Sequence, residues 1–146
     1  MENNNFQPLD RLIPRQLDQN KPYVFTIDDY SGKFMDPDNE SAEYELGVLI
    51  EDVSVRHFRK SWLKTSQGER FLLDGDYNIL RFSKLIEFMK ISSEVWAPSV
   101  MLSGPNEIQI VDGRHRFLWF AIHEYETMSI VVPRHEATEI RELLVL

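Results

Sequence analysis

A chain of 146 residues is long enough to bury a sizeable core and most simply makes one domain. Its 42% hydrophobic and 27% charged content is that of an ordinary globular protein, and no apolar run approaches the length of a membrane span. The formal net charge of −8 argues against broad clamping of duplex DNA, and the lack of cysteine excludes disulfides, thiolate catalysis and cysteine-ligated zinc.

Residues 1–20 are polar and rich in Asn and Gln, and read as a flexible N-terminal arm ahead of a domain over 21–146. Met1–Asn5 lacks the basic and apolar regions of a secretory signal, so a cytoplasmic protein away from the membrane is expected. The alternation Tyr23–Ile27 predicts a first strand. Asp28–Glu45, with Asp36-Pro37-Asp38-Asn39, carries turn chemistry and predicts a surface loop. Leu46–Ile50 predicts a buried strand, with Glu51–Ser54 leaving the sheet.

Val55, Phe58 and Trp62 fall at helical spacing and predict a short helix over 55–63. Gln67–Arg70 reads as a turn and Phe71–Leu73 as a short strand closed by Asp74-Gly75-Asp76. Ile79–Ile91 is the clearest amphipathic helix, facing the core through Phe82, Leu85, Ile86 and Met89. A strand over 96–102, a hairpin turn at 103–107 and a strand over 108–111 follow. Then come a helix over 117–123, a strand over 128–132 stopped by Pro133, and a terminal helix over 136–144. The sum is an α+β domain: a small mixed sheet with flanking helices.

Charge is unevenly placed. Asp28–Asp52 holds nine carboxylates and Lys33 as its one base, and Arg56-His57-Phe58-Arg59-Lys60 with Lys64 makes a compact basic cluster. The most informative stretch is Asp112-Gly113-Arg114-His115-Arg116, between an alternating apolar run and the apolar block Phe117–Ile122. Strand, tight turn and helix meet there, so backbone N–H groups and the positive end of a helix dipole are offered to an anion. Gly113 allows a close approach, and Arg114 and Arg116 present forks to phosphate oxygens. His115 can donate to a phosphate or carry a proton, and Asp112 can cap the helix or hold Mg²⁺ beside a phosphate. The same five residues also suit an ordinary turn with solvated arginines.

Other groups carry weaker signals. Arg81 opens the amphipathic helix and is a second candidate phosphate contact or a surface ion pair. Asp74 and Asp76 flank a glycine as turn residues or metal ligands, and His57 lies among bases on a helix face of mixed charge. His123 and His135, each followed by Glu, lack the i, i+4 pairing of a helical zinc site, so structural roles are expected. Trp62, Trp96 and Trp119 read as core or interface anchors.

The pentapeptide resembles the Asp/Asn-Gly-x-His-Arg signature of the ParB/sulfiredoxin-like superfamily. Val55–Trp62, Tyr77–Phe82, Trp96–Val100, Asp112–Trp119 and Ile130–Val132 run in the order found in plasmid fertility inhibition factors, which this chain resembles over about residues 55–145. That resemblance implies a ParB/sulfiredoxin-like fold, binding of ATP or another nucleotide with Mg²⁺, and ATPase or DNase activity. It further implies a role in blocking conjugative DNA transfer, with DNA and a conjugation or type IV secretion protein as partners. Gly113, Arg114, His115, Arg116 and Arg81 would bind phosphate, and Asp112 and His115 would be catalytic. Tyr125 and Ser129 stand where the family often has glycine and proline, and sulfinic acid reduction is excluded because its cysteine is missing. A second reading is a non-enzymatic protein whose acidic 28–52 segment docks on a basic secretion or nucleic-acid-handling partner.

Overall fold

The computed structural model describes residues 12–35, 43–73 and 75–145. In chain order they form β1 (Val24–Thr26), β2 (Lys33–Met35), β3 (Tyr44–Leu46), β4 (Val48–Ser54), α1 (Val55–Leu63), α2 (Ser66–Leu73) and α3 (Gly75–Ile91). There follow β5 (Glu94–Trp96), β6 (Ser99–Gly104), β7 (Glu107–Asp112), α4 (Arg114–Ile122) and β8 (Thr127–Val132). A 3₁₀ turn at Arg134–Glu136 then leads into α5 (Ala137–Leu144). The domain is α+β, with small sheets and flanking helices.

The main sheet has the order β4-β8-β6-β7. β8 runs antiparallel to β4 and meets β6 in parallel at Ser99↔Val131, while β6 and β7 form the hairpin. Met128–Val132 is buried throughout, as an interior strand rich in Val and Ile should be. Where the short parallel pairing leaves the Leu102 amide without a strand partner, Glu136 Oε1 accepts from it at 2.7 Å. β1 pairs in parallel with β5, and β2 with β3 antiparallel.

α4 organises the core. Phe117–Ile122 are all buried, and a helix apolar on every side belongs inside. Phe58 of α1 stacks on Phe117 at 4.5 Å, Trp62 meets Phe117 edge-on at 5.7 Å, and Phe82 of α3 stacks on Trp119 at 5.7 Å. Truncating any of these rings would cost about 3–5 kcal/mol. Burial of the body of α4 leaves its first turn as its one polar stretch at the surface.

Several expectations need correction. β4 continues to Ser54 instead of ending at Ile50: a bulge between Ile50 and Val53, with Asp52 at φ 61°, returns Val53 to the core. Residues 66–73 are helix, where a turn and a strand are expected. The Thr65 hydroxyl accepts from the Gly68 amide at 3.1 Å and donates to Trp62 O at 2.6 Å, starting the helix, and Phe71 packs against Trp62 at 5.1 Å. The single strand expected over 96–102 is broken at Ala97-Pro98, so that β5 pairs with β1 and β6 joins the main sheet.

The expected loop over 28–45 contains β2 and the first two residues of β3; its Asp36–Asn39 turn lies outside the described residues. Within the expected arm, Ile13 is buried in the main core and Leu12 and Leu17 pack against it. Residues 1–11 lie outside the described residues.

Candidate phosphate-binding groove

The corner at the start of α4 is built around Gly113. Its φ of 95° is left-handed, and it is the N-cap residue, with the Phe117 amide donating to its carbonyl at 2.9 Å. A Cβ there would lie 2.6 Å from Arg116 Nη2 and 3.0 Å from Pro98 Cα. Torsion and space therefore both require glycine. As a glycine, the N-cap residue has no side chain with which to cap the helix. Asp112, a candidate cap in the sequence, instead accepts from Arg116 Nη2 through Oδ2 at 2.8 Å. Arg116 Nε is buried with no hydrogen-bond partner among the described residues.

Beside this turn lies an open groove of about 290 Å³, bordered by Asp112, Gly113 and the three basic residues after them on one side. Tyr77, Arg81 and Lys84 of α3 form the other wall. Among the described residues the lining carries three arginines and a lysine, Arg81, Arg114, Arg116 and Lys84, against one acidic residue, Asp112. The Arg81 guanidinium sits over the Tyr77 ring, 5.9 Å from its centroid. Tyr77 and Arg114 also line a neighbouring cleft of about 460 Å³ that includes Arg70. Thus a protein of net charge −8 gathers positive charge at one concave place.

His115 is half-buried between the two helices. Asn78 Nδ2 donates to Phe71 O at 2.6 Å, so Asn78 Oδ1 is the acceptor for His115 Nε2 at 3.0 Å. That fixes the neutral tautomer with the hydrogen on Nε2 and leaves Nδ1 as the basic nitrogen. Burial pulls the imidazole pKa down to about 4, helped by the charges of Arg114 and Arg81. His115 is therefore neutral at ordinary pH and acts as a polar wall and a weak base. A bound anion would oppose the two guanidiniums and raise its basicity.

The fold brings Asp112, Gly113, Arg114, His115, Arg116 and Arg81 to one groove. Sequence reasoning gave no role to Tyr77 and Lys84, which complete its lining, or to Asn78, which holds His115 from behind. Asn78 shares a helical stripe with Phe82, Leu85 and Met89, and a polar residue on a core stripe signals a fixed partner. Of the two other acidic candidates, Asp76 is exposed in the first turn of α3 and Asp74 lies outside the described residues. No group of three or more metal-ligating side chains forms among the described residues. Arg56 and Lys60 of the basic cluster are exposed on α1, and the His57 amide is capped by Ser54 Oγ at 3.2 Å.

His123 has a structural role in the interior, and His135 lies 3.5 Å from its neighbour Glu136. No helix among the described residues is long and apolar enough to cross a membrane. Comparison with protein-family models, curated proteins and solved structures gives no match.

Proposed function

We propose that this chain is a ParB/sulfiredoxin-like, phosphate-binding domain that takes nucleotides, in the manner of the plasmid fertility inhibition factors its motifs resemble. The observation that carries the reading is the convergence of Arg81, Lys84, Arg114 and Arg116 on an open groove at a glycine-capped helix N-terminus. Phosphates would lie against Arg114, Arg81 and Lys84, with the amides after Gly113 beneath them.

Mg²⁺ suits such a site without an all-protein cage, since it is held by one or two carboxylates together with phosphates and water. Asp112, its side chain 45% exposed, is the carboxylate in place to share one, and a bound Mg²⁺ would neutralise charge developing on the phosphates. Hydrolysis of ATP or DNA would then rest on positioning and charge stabilisation. His115 Nδ1 would serve as proton acceptor once the anion has raised its basicity. Blocking conjugative DNA transfer is the biological role the motif resemblance supplies.

Calorimetric titration with Mg²⁺-ATP tests the reading. Arg114→Ala and Arg81→Ala are each expected to weaken binding about tenfold, the size of one charge-assisted phosphate contact. Equal affinity in the wild type and the double variant would remove the groove from the function.

A further inference from the structure

The interior strand β8 carries a serine. Ser129 is 8% exposed, and its hydroxyl has no hydrogen-bond partner among the described residues. A polar group buried without a partner is costly, which makes this a place for a partner from outside. Ser129 lines a pocket of about 300 Å³ that shares no residue with the phosphate groove. Tyr23, Phe25 and Tyr125 supply aromatic walls, and the exposed Glu51 and Asp52, on the β4 bulge, supply two carboxylates. Tyr125 and Ser129 are also two of the places where the chain departs from the fertility-inhibition pattern, so the pocket is not part of what that resemblance implies.

The site is formed in advance. The hydroxyls of Tyr23 and Tyr125 donate to Met89 O and Lys21 O, and both rings meet Phe120 edge-on, at 5.6 and 4.8 Å. The bulge takes Glu51 and Asp52 out of the regular pairing of β4 with β8, and neither carboxylate forms an ion pair among the described residues. Lys21 Nζ lies 5.2 Å from the Tyr23 centroid but donates to Met89 O and Lys90 O at the C-terminal end of α3.

Two carboxylates select a cation, aromatic faces favour a flat delocalised one, and a hydroxyl accepts an N–H. A volume at the lower limit of small-molecule sites suits the head of one long side chain. We infer that this pocket receives the guanidinium of an arginine from a basic protein partner, stacked on Tyr23 and Tyr125 and bonded to Glu51, Asp52 and Ser129. The net charge of −8 steers such a partner toward the chain. The inference is independent of the phosphate reading.

The test is a titration of the isotope-labelled full chain, followed by amide chemical shifts. Its probes are acetyl-Gly-Arg-Gly-amide, the lysine counterpart, and propylguanidinium, which is the same head without a peptide. The arginine peptide is expected to bind with a Kd of about 1 mM, moving the amides of Asp52, Tyr125 and Ser129, and about fivefold more tightly than the lysine peptide. Ser129→Ala should weaken it about fivefold, and Glu51→Gln with Asp52→Asn about tenfold or more. Asparagine tolerates the left-handed φ of 61° at position 52, so the double variant should fold, as unshifted amides elsewhere would show. Arg114→Ala should change nothing.

Equal affinity for the two peptides, or affinity that survives in either the serine or the double variant, would overturn the site and leave a diffuse acidic field. Propylguanidinium binding tenfold more tightly than the arginine peptide would overturn the protein partner, since the pocket would then exclude a peptide. A loss of binding in Arg114→Ala would place the cation elsewhere and overturn the inference as well.

Discussion

The two ends of α4 each carry a histidine, and the two have opposite surroundings. In both rings burial is the leading cause of a lowered pKa. At the N-terminal end His115 bonds a side chain, Asn78, and borders an open groove. At the C-terminal end His123 is fully buried and bonds main chain only: Nδ1 donates to Trp119 O at 2.8 Å, and Nε2 accepts from the amides of Gln16 and Leu17 at 3.1 and 3.2 Å. Its ring lies on Trp119 with centroids 4.0 Å apart. A helix apolar on every face can be polar only at its ends. Here one end ties the N-terminal segment to the core, and the other borders an open basic groove.

The largest effect that would separate the ends is on stability. His123→Leu leaves the amides of Gln16 and Leu17 without their partner, each such loss costing about 1–3 kcal/mol if no water replaces it, while Trp119 O keeps the backbone amide of residue 123. Urea unfolding should show a loss of about 2–4 kcal/mol for His123→Leu and no more than about 1 kcal/mol for His115→Gln. Equal losses would mean that the open end is as structural as the closed one, and the division would fail.

Acidification should sharpen the contrast next. Because burial lowers the folded pKa of His115 from 6.5 to about 4, the unfolded chain takes up the proton first. Its contribution to stability is thus complete above about pH 6.5 and is lost as the pH falls toward 4. His123 acts in the same direction. His115→Gln should make the decline in melting temperature between pH 6.5 and 4 shallower. Saturating sulfate, by favouring the imidazolium at the groove, should do the same in the wild type but not in His115→Gln. An identical sulfate response in the two proteins would place His115 outside the anion's field.

What could be read in the sequence follows from how local each cause is. The 3.6-residue spacing of Val55, Phe58 and Trp62 gave α1, and the apolar block after Asp112-Gly113 gave the strand-glycine-helix corner, because both are encoded by neighbours in the chain. α2 was hidden because its start depends on the Thr65 hydroxyl and on Phe71 meeting Trp62, which outweigh the turn character of Gln67-Gly68. The groove was half visible. Its α4 side is one contiguous motif, whereas Tyr77 and Lys84 reach it, and Asn78 reaches His115, only when α3 packs beside α4. The partners of His123 Nε2 lie 106 and 107 residues away, so its pairing with the N-terminal segment has no local signal. The Asp112–Arg116 pair, at i and i+4, was open to spacing arguments, but the left-handed glycine between them is what turns the carboxylate away from capping.

The smallest effect concerns that pair, and its sign carries the information. Asp112 is 45% exposed against 16% for Arg116, so a pair of this kind is worth no more than about 1 kcal/mol and Asp112→Asn should fold normally. Removing this carboxylate from the groove should tighten sulfate binding about two- to fivefold, since an anion no longer faces that like charge. Binding of Mg²⁺-ATP should weaken in the same variant, because the amide is a poorer Mg²⁺ ligand than the carboxylate. Opposite signs for the two ligands identify Asp112 as a metal-side residue that also holds Arg116. Tightening of both would leave it as a counterion alone, and the open end of α4 would then be a site that binds phosphate without a metal.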